Sequence, residues 1–160
     1  VHGEYDMVLP ERELATDYSW AKTDWFAKPT IVKYRCIIDM LAIRNGGKDV
    51  LTIDFKTGKV RPYNDSHGQL HLSAAMVMSV IPQAEVLTSA YVFSEHKQTI
   101  KMTMERDEVQ KEIDYFDGLH TRVNEETEFA PTKHKYCNFC GIKNTCPLFK
   151  KPDFDDDIPF

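Results

Sequence analysis

The sequence predicts a mixed α/β fold, a central sheet flanked by helices, on three observations. Two strand-like runs meet across a glycine turn near residue 46. A nearly uninterrupted apolar stretch over 68–81 has the length of a buried helix, and a segment over 106–124 carries apolar residues at near-helical spacing. Strands and helices that each bury one side need a layered α/β arrangement.

In chain order, residues 1–30 contain Pro10, Pro29, charges of both signs and the pair Trp20 and Trp25, and predict irregular structure with short helical or strand pieces. Residues 34–43 are rich in β-branched and apolar side chains, Asn45-Gly46-Gly47-Lys48 is a turn signal, and residues 49–55 form a second strand-like run. This is a hairpin. The stretch 68–81 holds Leu70, Leu72, Ala74, Ala75, Val77, Met78 and Ile81, too continuously apolar for a surface helix, and Pro82 ends it. Residues 85–93 read as a buried strand, with 99–104 as its neighbour across a polar turn. Val109, Ile113, Phe116 and Val123 then mark an amphipathic helix that packs on the sheet.

A chain of 160 residues suits one compact core, with 42% hydrophobic and 28% charged residues as in soluble globular proteins. No apolar run approaches the roughly 18 to 20 residues needed to span a bilayer, so no membrane partner is expected. The chain opens on Val1 with no basic segment followed by an apolar one, so no secretory signal is visible and a reducing cytoplasmic compartment is expected. A net charge of −5 argues against binding nucleic acid by bulk electrostatics. Local basic clusters remain at Lys56, Lys59 and Arg61, and at Lys133, Lys135, Lys143, Lys150 and Lys151, whereas four acids crowd between Asp153 and Asp157. The expected organisation is a core over 1–130, a cysteine-rich segment over 131–150 and an acidic tail over 151–160.

Hairpin arithmetic singles out a carboxylate pair. With the turn centred between Gly46 and Gly47, paired residue numbers sum to 93, and Asp39 faces Asp54. Opposed side chains on antiparallel strands stand about 4.5 to 5.5 Å apart at Cβ, and two like charges there destabilise the sheet unless something offsets them. A hard divalent cation such as Mg2+ or Mn2+, which takes one or two carboxylates plus water and substrate phosphate, is such an offset. Alternation along the strand places Lys56 on the face of Asp54. Two acids, a metal and a lysine suffice for phosphodiester hydrolysis, which needs an activated water and neutralisation of developing charge. The competing reading is a solvated ion pair on an exposed face. The apolar neighbours Ile37, Ile38, Ile53 and Phe55 weigh against it, because unpaired acids there are costly to desolvate.

Three of the four cysteines, Cys137, Cys140 and Cys146, fall within ten residues, a spacing that suggests metal more than disulfides. Addition of His134 makes a set able to hold Zn2+ tetrahedrally. Unligated thiols are the plain alternative. Cys36 lies on the opposite strand face from Asp39 and reads as a small buried hydrophobe. His71 diverges from Gln69 by roughly 200° around the helix and is assigned to packing, as are Met76, Met78, Trp20 and Trp25. His67, His96 and His120 have no partner pattern.

The string Ile53-Asp54-Phe55-Lys56-Thr57-Gly58-Lys59 resembles the Asp-x-Lys motif of RecB-type nucleases in the PD-(D/E)XK superfamily. Ile38-Asp39 resembles the preceding metal-binding aspartate. Gln69 matches the first position of the family's Gln-x-x-x-Tyr helix, with Ser73 where the tyrosine stands. His2 resembles the end of a Gly-x-x-x-His motif whose histidine is a metal ligand. The cysteine triad is similar to that of CRISPR-adaptation and AddB-type nucleases, which hold a [4Fe-4S] cluster with a fourth cysteine far upstream.

The resemblance implies a restriction-endonuclease-like nuclease core with a C-terminal cysteine-bound metal staple. It implies a Mg2+ or Mn2+-dependent exonuclease of repair, recombination or replication, from a bacterium or phage. Its catalytic residues would be Asp39, Asp54, Lys56 and Gln69, its metal ligands His2, Asp39 and Asp54, and its cluster ligands Cys137, Cys140 and Cys146. DNA, single-stranded or with a free end, is the implied substrate, and a helicase or recombination protein the implied partner. The alternative is a nuclease-fold module that binds nucleic acid or protein without turnover.

Overall fold

The computed structural model describes residues 4–60 and 68–149. Six strands and two helices follow in the order β1 (Met7–Asp17), β2 (Lys22–Thr23), β3 (Val32–Arg44), β4 (Asp49–Lys56), α1 (Gln69–Val80), β5 (Val86–Phe93), β6 (Gln98–Glu105) and α2 (Val109–Glu125). All six strands join one sheet in the order β2-β1-β3-β4-β5-β6. The β4/β5 pair is parallel and the rest are antiparallel, so the sheet is mixed as the sequence predicts.

The β3–β4 hairpin keeps the expected register. Its pairs run from Arg44 with Asp49 to Met40 with Ile53, each summing to 93. Asn45, Gly46 and Gly47 turn the chain with φ of 53°, 64° and 96°. Glycine matters most at Gly47, where a Cβ would also stand 2.8 Å from the Gln83 side chain.

The N-terminal segment departs from expectation. Residues 7–17 form a long strand rather than irregular pieces, and β1 pairs with β3 along most of its length. Its middle, Pro10-Glu11-Arg12-Glu13, is exposed, and only Leu14-Ala15-Thr16 is buried as a run. That pattern has no period of two for a sequence reading to find. Both β1 and β3 rotate at this level. Leu9 and Leu14 both reach the core, as do Ile38 and Leu41, and Glu11 takes φ +45°.

The helix α1 is the centre of the core. Ser73 through Met78 are all buried, which leaves no face of that segment to water. On α2, Val109, Glu112 and Phe116 are the buried positions, at the spacing of one helical face. The α1 C-terminus is closed by Arg106, whose guanidinium donates to the carbonyls of Met78, Ile81 and Ala84, each at 2.7 Å. His71 points away from Gln69, with Nδ1 3.3 Å from Glu112 Oε1. Trp20 is buried as expected, its indole N–H donating to Asp117. Cys36 packs against the core, and burial pushes its thiol up to about 12.

By internal contacts the chain divides within α2, into residues 1–120 and 121–160. Among its described residues the second unit carries the end of α2 and then short turns, with a single-turn 3-10 helix at Cys137–Phe139. Among the described residues no helix is long and apolar enough to cross a membrane.

Candidate active site

The parallel crossover from β4 through α1 to β5 sets the site. In such a unit the carboxyl ends of both strands and the amino end of the helix lie at one edge of the sheet, where α/β folds bind ligands. On β4, Val50, Thr52, Asp54 and Lys56 share a face. Val50 and Thr52 are buried, while the Asp54 and Lys56 side chains retain 16% and 32% of their accessible surface. The strand thus emerges from the core at its last two inward positions. Beneath Asp54, the hydroxyls of Thr52 and Ser89 hydrogen-bond at 2.6 Å.

Lys56 Nζ lies 2.6 Å from Asp54 Oδ2 and donates to Gln69 Oε1 at 3.0 Å. The Gln69 amide N–H donates to Asp54 Oδ1 at 2.7 Å. One amide therefore fixes both members of the ion pair, through its two ends. Gln69 opens α1, whose N-cap Gly68 offers no capping side chain, and the positive end of the helix favours a carboxylate nearby. Asp54 Oδ2 is buried and accepts no hydrogen bond of sound geometry despite its closeness to Lys56. The ion pair is a contact of charges that leaves a lone pair uncommitted.

Asp39 arrives differently from the sequence picture. The β3/β4 ladder ends at Met40 opposite Ile53, one pair short of Asp39 opposite Asp54. Beyond it, Asp39 Oδ2 accepts the backbone N–H of Phe55 at 2.7 Å. A side-chain oxygen takes the place of a strand acceptor, and the Asp39 carboxylate meets the peptide that links Asp54 to Phe55. The cleft beside Asp54, walled by Ile37, Ile38, Ile53, Gln69, Leu70 and Ser73, holds about 10 Å³, room for about one water-sized sphere and nothing larger.

Two hard oxygen donors, one with an uncommitted buried lone pair, suit a divalent ion whose remaining ligands are water and phosphate. No three His, Cys, Asp or Glu side chains among the described residues converge as a metal-binding group, so the described donors here are the two carboxylates. His2 lies outside the described residues, as do Arg61, Lys150, Lys151 and the acidic tail.

Tyr91, which the sequence reading passes over, also belongs to the site. It stands opposite Asp54 in the β4/β5 ladder, and its ring centroid is 4.9 Å from Lys56 Nζ. Burial first, and then the Asp54 charge, raise its phenol pKa, opposed by the Lys56 charge and the Leu70 backbone. No local pattern points to Tyr91, because its partnership depends on a parallel pairing across more than thirty residues. Ser73, where the resemblance leads one to expect a tyrosine, is buried and bonds to the Leu70 carbonyl.

A family model described as the PD-(D/E)XK nuclease superfamily matches residues 4–147. The chain belongs to that superfamily. PD-(D/E)XK nucleases hydrolyse phosphodiester bonds with divalent metals, and the mixed six-stranded sheet with two helices is consistent with their fold. No curated protein matches the sequence. Among solved structures, the crystal structure of SSO0001 aligns with 90% of this PD-(D/E)XK chain at 13% identity and a TM-score of 0.37. The alignment covers 62% of that protein, so this chain spans about three-fifths of its length.

Within the second unit, Cys137, Cys140, Cys146 and His134 line one mostly apolar cavity of about 130 Å³ with Lys133 and Lys143. Cys137 Sγ accepts the His134 N–H at 3.1 Å. His134 Nδ1 accepts the Tyr136 N–H at 3.1 Å. The thiols share a cavity without converging on one point.

Proposed function

We propose that this PD-(D/E)XK chain is a metal-dependent deoxyribonuclease acting exonucleolytically in DNA repair, recombination or replication. The observation that carries the reading is the Asp54–Lys56–Gln69 triangle at the mouth of β4, with Asp39 drawn to the adjoining peptide. Asp39 and Asp54 would hold Mg2+ or Mn2+, which when bound supplies charge neutralisation and a water of lowered pKa. Lys56 then has a donor for a phosphate oxygen or for the attacking water. Gln69 keeps Lys56 and Asp54 from swinging into solvent, so the lysine meets substrate in a fixed place. His2 is assigned as a further ligand on the motif resemblance alone. DNA with a single strand or a free end, and a helicase or recombination partner, rest on the RecB-type resemblance of Asp54 to Gly58.

The cysteine segment is proposed as a metal staple that holds a [4Fe-4S] cluster. Support comes from three thiols in one cavity and a backbone N–H already on Cys137 Sγ, with Zn2+ held by the thiols and His134 as the alternative. Cluster binding requires the thiols to draw together. Anaerobically purified protein should be coloured and contain iron; a colourless protein with stoichiometric zinc reverses the assignment.

A second reading, a nuclease-fold module that binds nucleic acid or protein without turnover, draws on Ser73 in place of a tyrosine and on the contacts Lys56 and Gln69 already make with Asp54. End-labelled DNA separates the two. Wild type should degrade it with Mn2+ or Mg2+, and Lys56→Ala should not. Equal activity of the two, or none in either across single- and double-stranded forms, favours the module.

A further inference from the structure

Tyr91 faces the site with its ring. Its side chain is 7% exposed, so it does not stack on a base or touch a phosphate. The ring face lies under the Lys56 ammonium, with the ring centroid 4.9 Å from Nζ. Its edge packs on Phe93 at a centroid distance of 6.3 Å and an interplanar angle of 71°, and Leu70 completes the cluster. The ring therefore has little freedom to turn. A lysine ammonium sits on a flexible four-carbon stem, and Asp54 and Gln69 hold it through its polar contacts alone. Without the ring, the ammonium loses a favourable surface and gains room to leave the pair.

We propose that Tyr91 is a positioning residue: its ring face holds the Lys56 ammonium against Asp54 and Gln69. The proposal rests on the nuclease reading of Lys56 for its consequence, but the contact itself is independent of activity. The ring carries the Lys56 contact, so phenylalanine retains it and leucine loses it.

The test compares the whole chain as wild type, Tyr91→Phe and Tyr91→Leu, by kinetics on end-labelled DNA with Mn2+ and by NMR of the Lys56 ε protons. Ring current should shift those protons upfield in wild type and Tyr91→Phe, and the shift should vanish in Tyr91→Leu. The kcat of Tyr91→Leu should fall roughly 3- to 10-fold, as expected for loss of a cation–π contact, with KM nearly unchanged. Tyr91→Phe should recover kcat to within about 2-fold. A Tyr91→Leu enzyme with wild-type kcat, or a Tyr91→Phe enzyme as impaired as Tyr91→Leu, overturns the proposal. If Tyr91→Leu does not fold, the wild-type spectrum decides, because unshifted Lys56 ε protons there exclude the contact. If wild type cleaves no DNA while the shift follows the ring, the nuclease reading fails and the positioning of Lys56 by Tyr91 stands.

Discussion

Lys56 is held by a carboxylate, an amide and an aromatic ring, and each contact limits a different motion. Removal of the ammonium in Lys56→Ala should lower metal-dependent cleavage by about 10²- to 10³-fold, the usual cost of deleting a fixed donor to developing charge, measured as kcat. Gln69→Ala should act more mildly, since Asp54 still pairs with Lys56, and its loss should be seen in kcat more than in KM. Cys36 gives a prediction about pH. Burial raises its thiol from 9.0 to about 12, so the folded state binds that proton more tightly than the unfolded chain. Its contribution is therefore complete below pH 9 and is lost as pH rises from 9 toward 12. At pH 10 the loss is on the order of 1 kcal/mol, and Cys36→Ala should flatten the fall in stability between pH 8.5 and 10.5 in denaturant titrations. Tyr34, raised to about 12 chiefly by burial, works in the same direction from a higher starting point.

At the level of elements, the positions of Gln69 and His71 follow from helical geometry, and Cys36 from strand alternation, so these assignments are legible in the local sequence. The hairpin register is legible because the turn is short and glycine-rich. Legibility stops where geometry depends on a distant partner. Residues 7–17 form a strand because β3 offers them a ladder, in spite of Pro10 and the charges beside it. Asp39 bonds to the Phe55 N–H because the hairpin ladder ends just before it, a break that no local composition announces. The site also depends on α1 keeping both its ends. Arg106 satisfies three carbonyls around the α1 C-terminus with a planar fork that one ammonium does not reproduce. Arg106→Ala should cost about 2 to 4 kcal/mol in urea unfolding through those lost partners, and Arg106→Lys should recover less than half.

For the whole molecule, a net charge of −5 places the burden of phosphate attraction on bound metal and a few local lysines. Binding of the chain to short DNA should therefore be at least about 10-fold tighter in Ca2+ than in EDTA and should weaken with salt less steeply than binding by a basic protein. Equal affinity in Ca2+ and EDTA would point to a metal-independent surface instead. Superfamily membership gives the fold and suggests nuclease chemistry, but the proposal is narrower: that Asp39 and Asp54 together hold a divalent ion beside Lys56. A Mn2+ titration followed by electron paramagnetic resonance tests this without requiring the right DNA. Wild type should bind Mn2+, and Asp54→Asn and Asp39→Asn should each weaken binding by about tenfold or more. Absence of Mn2+ binding in wild type, or binding that neither substitution changes, would contradict the account.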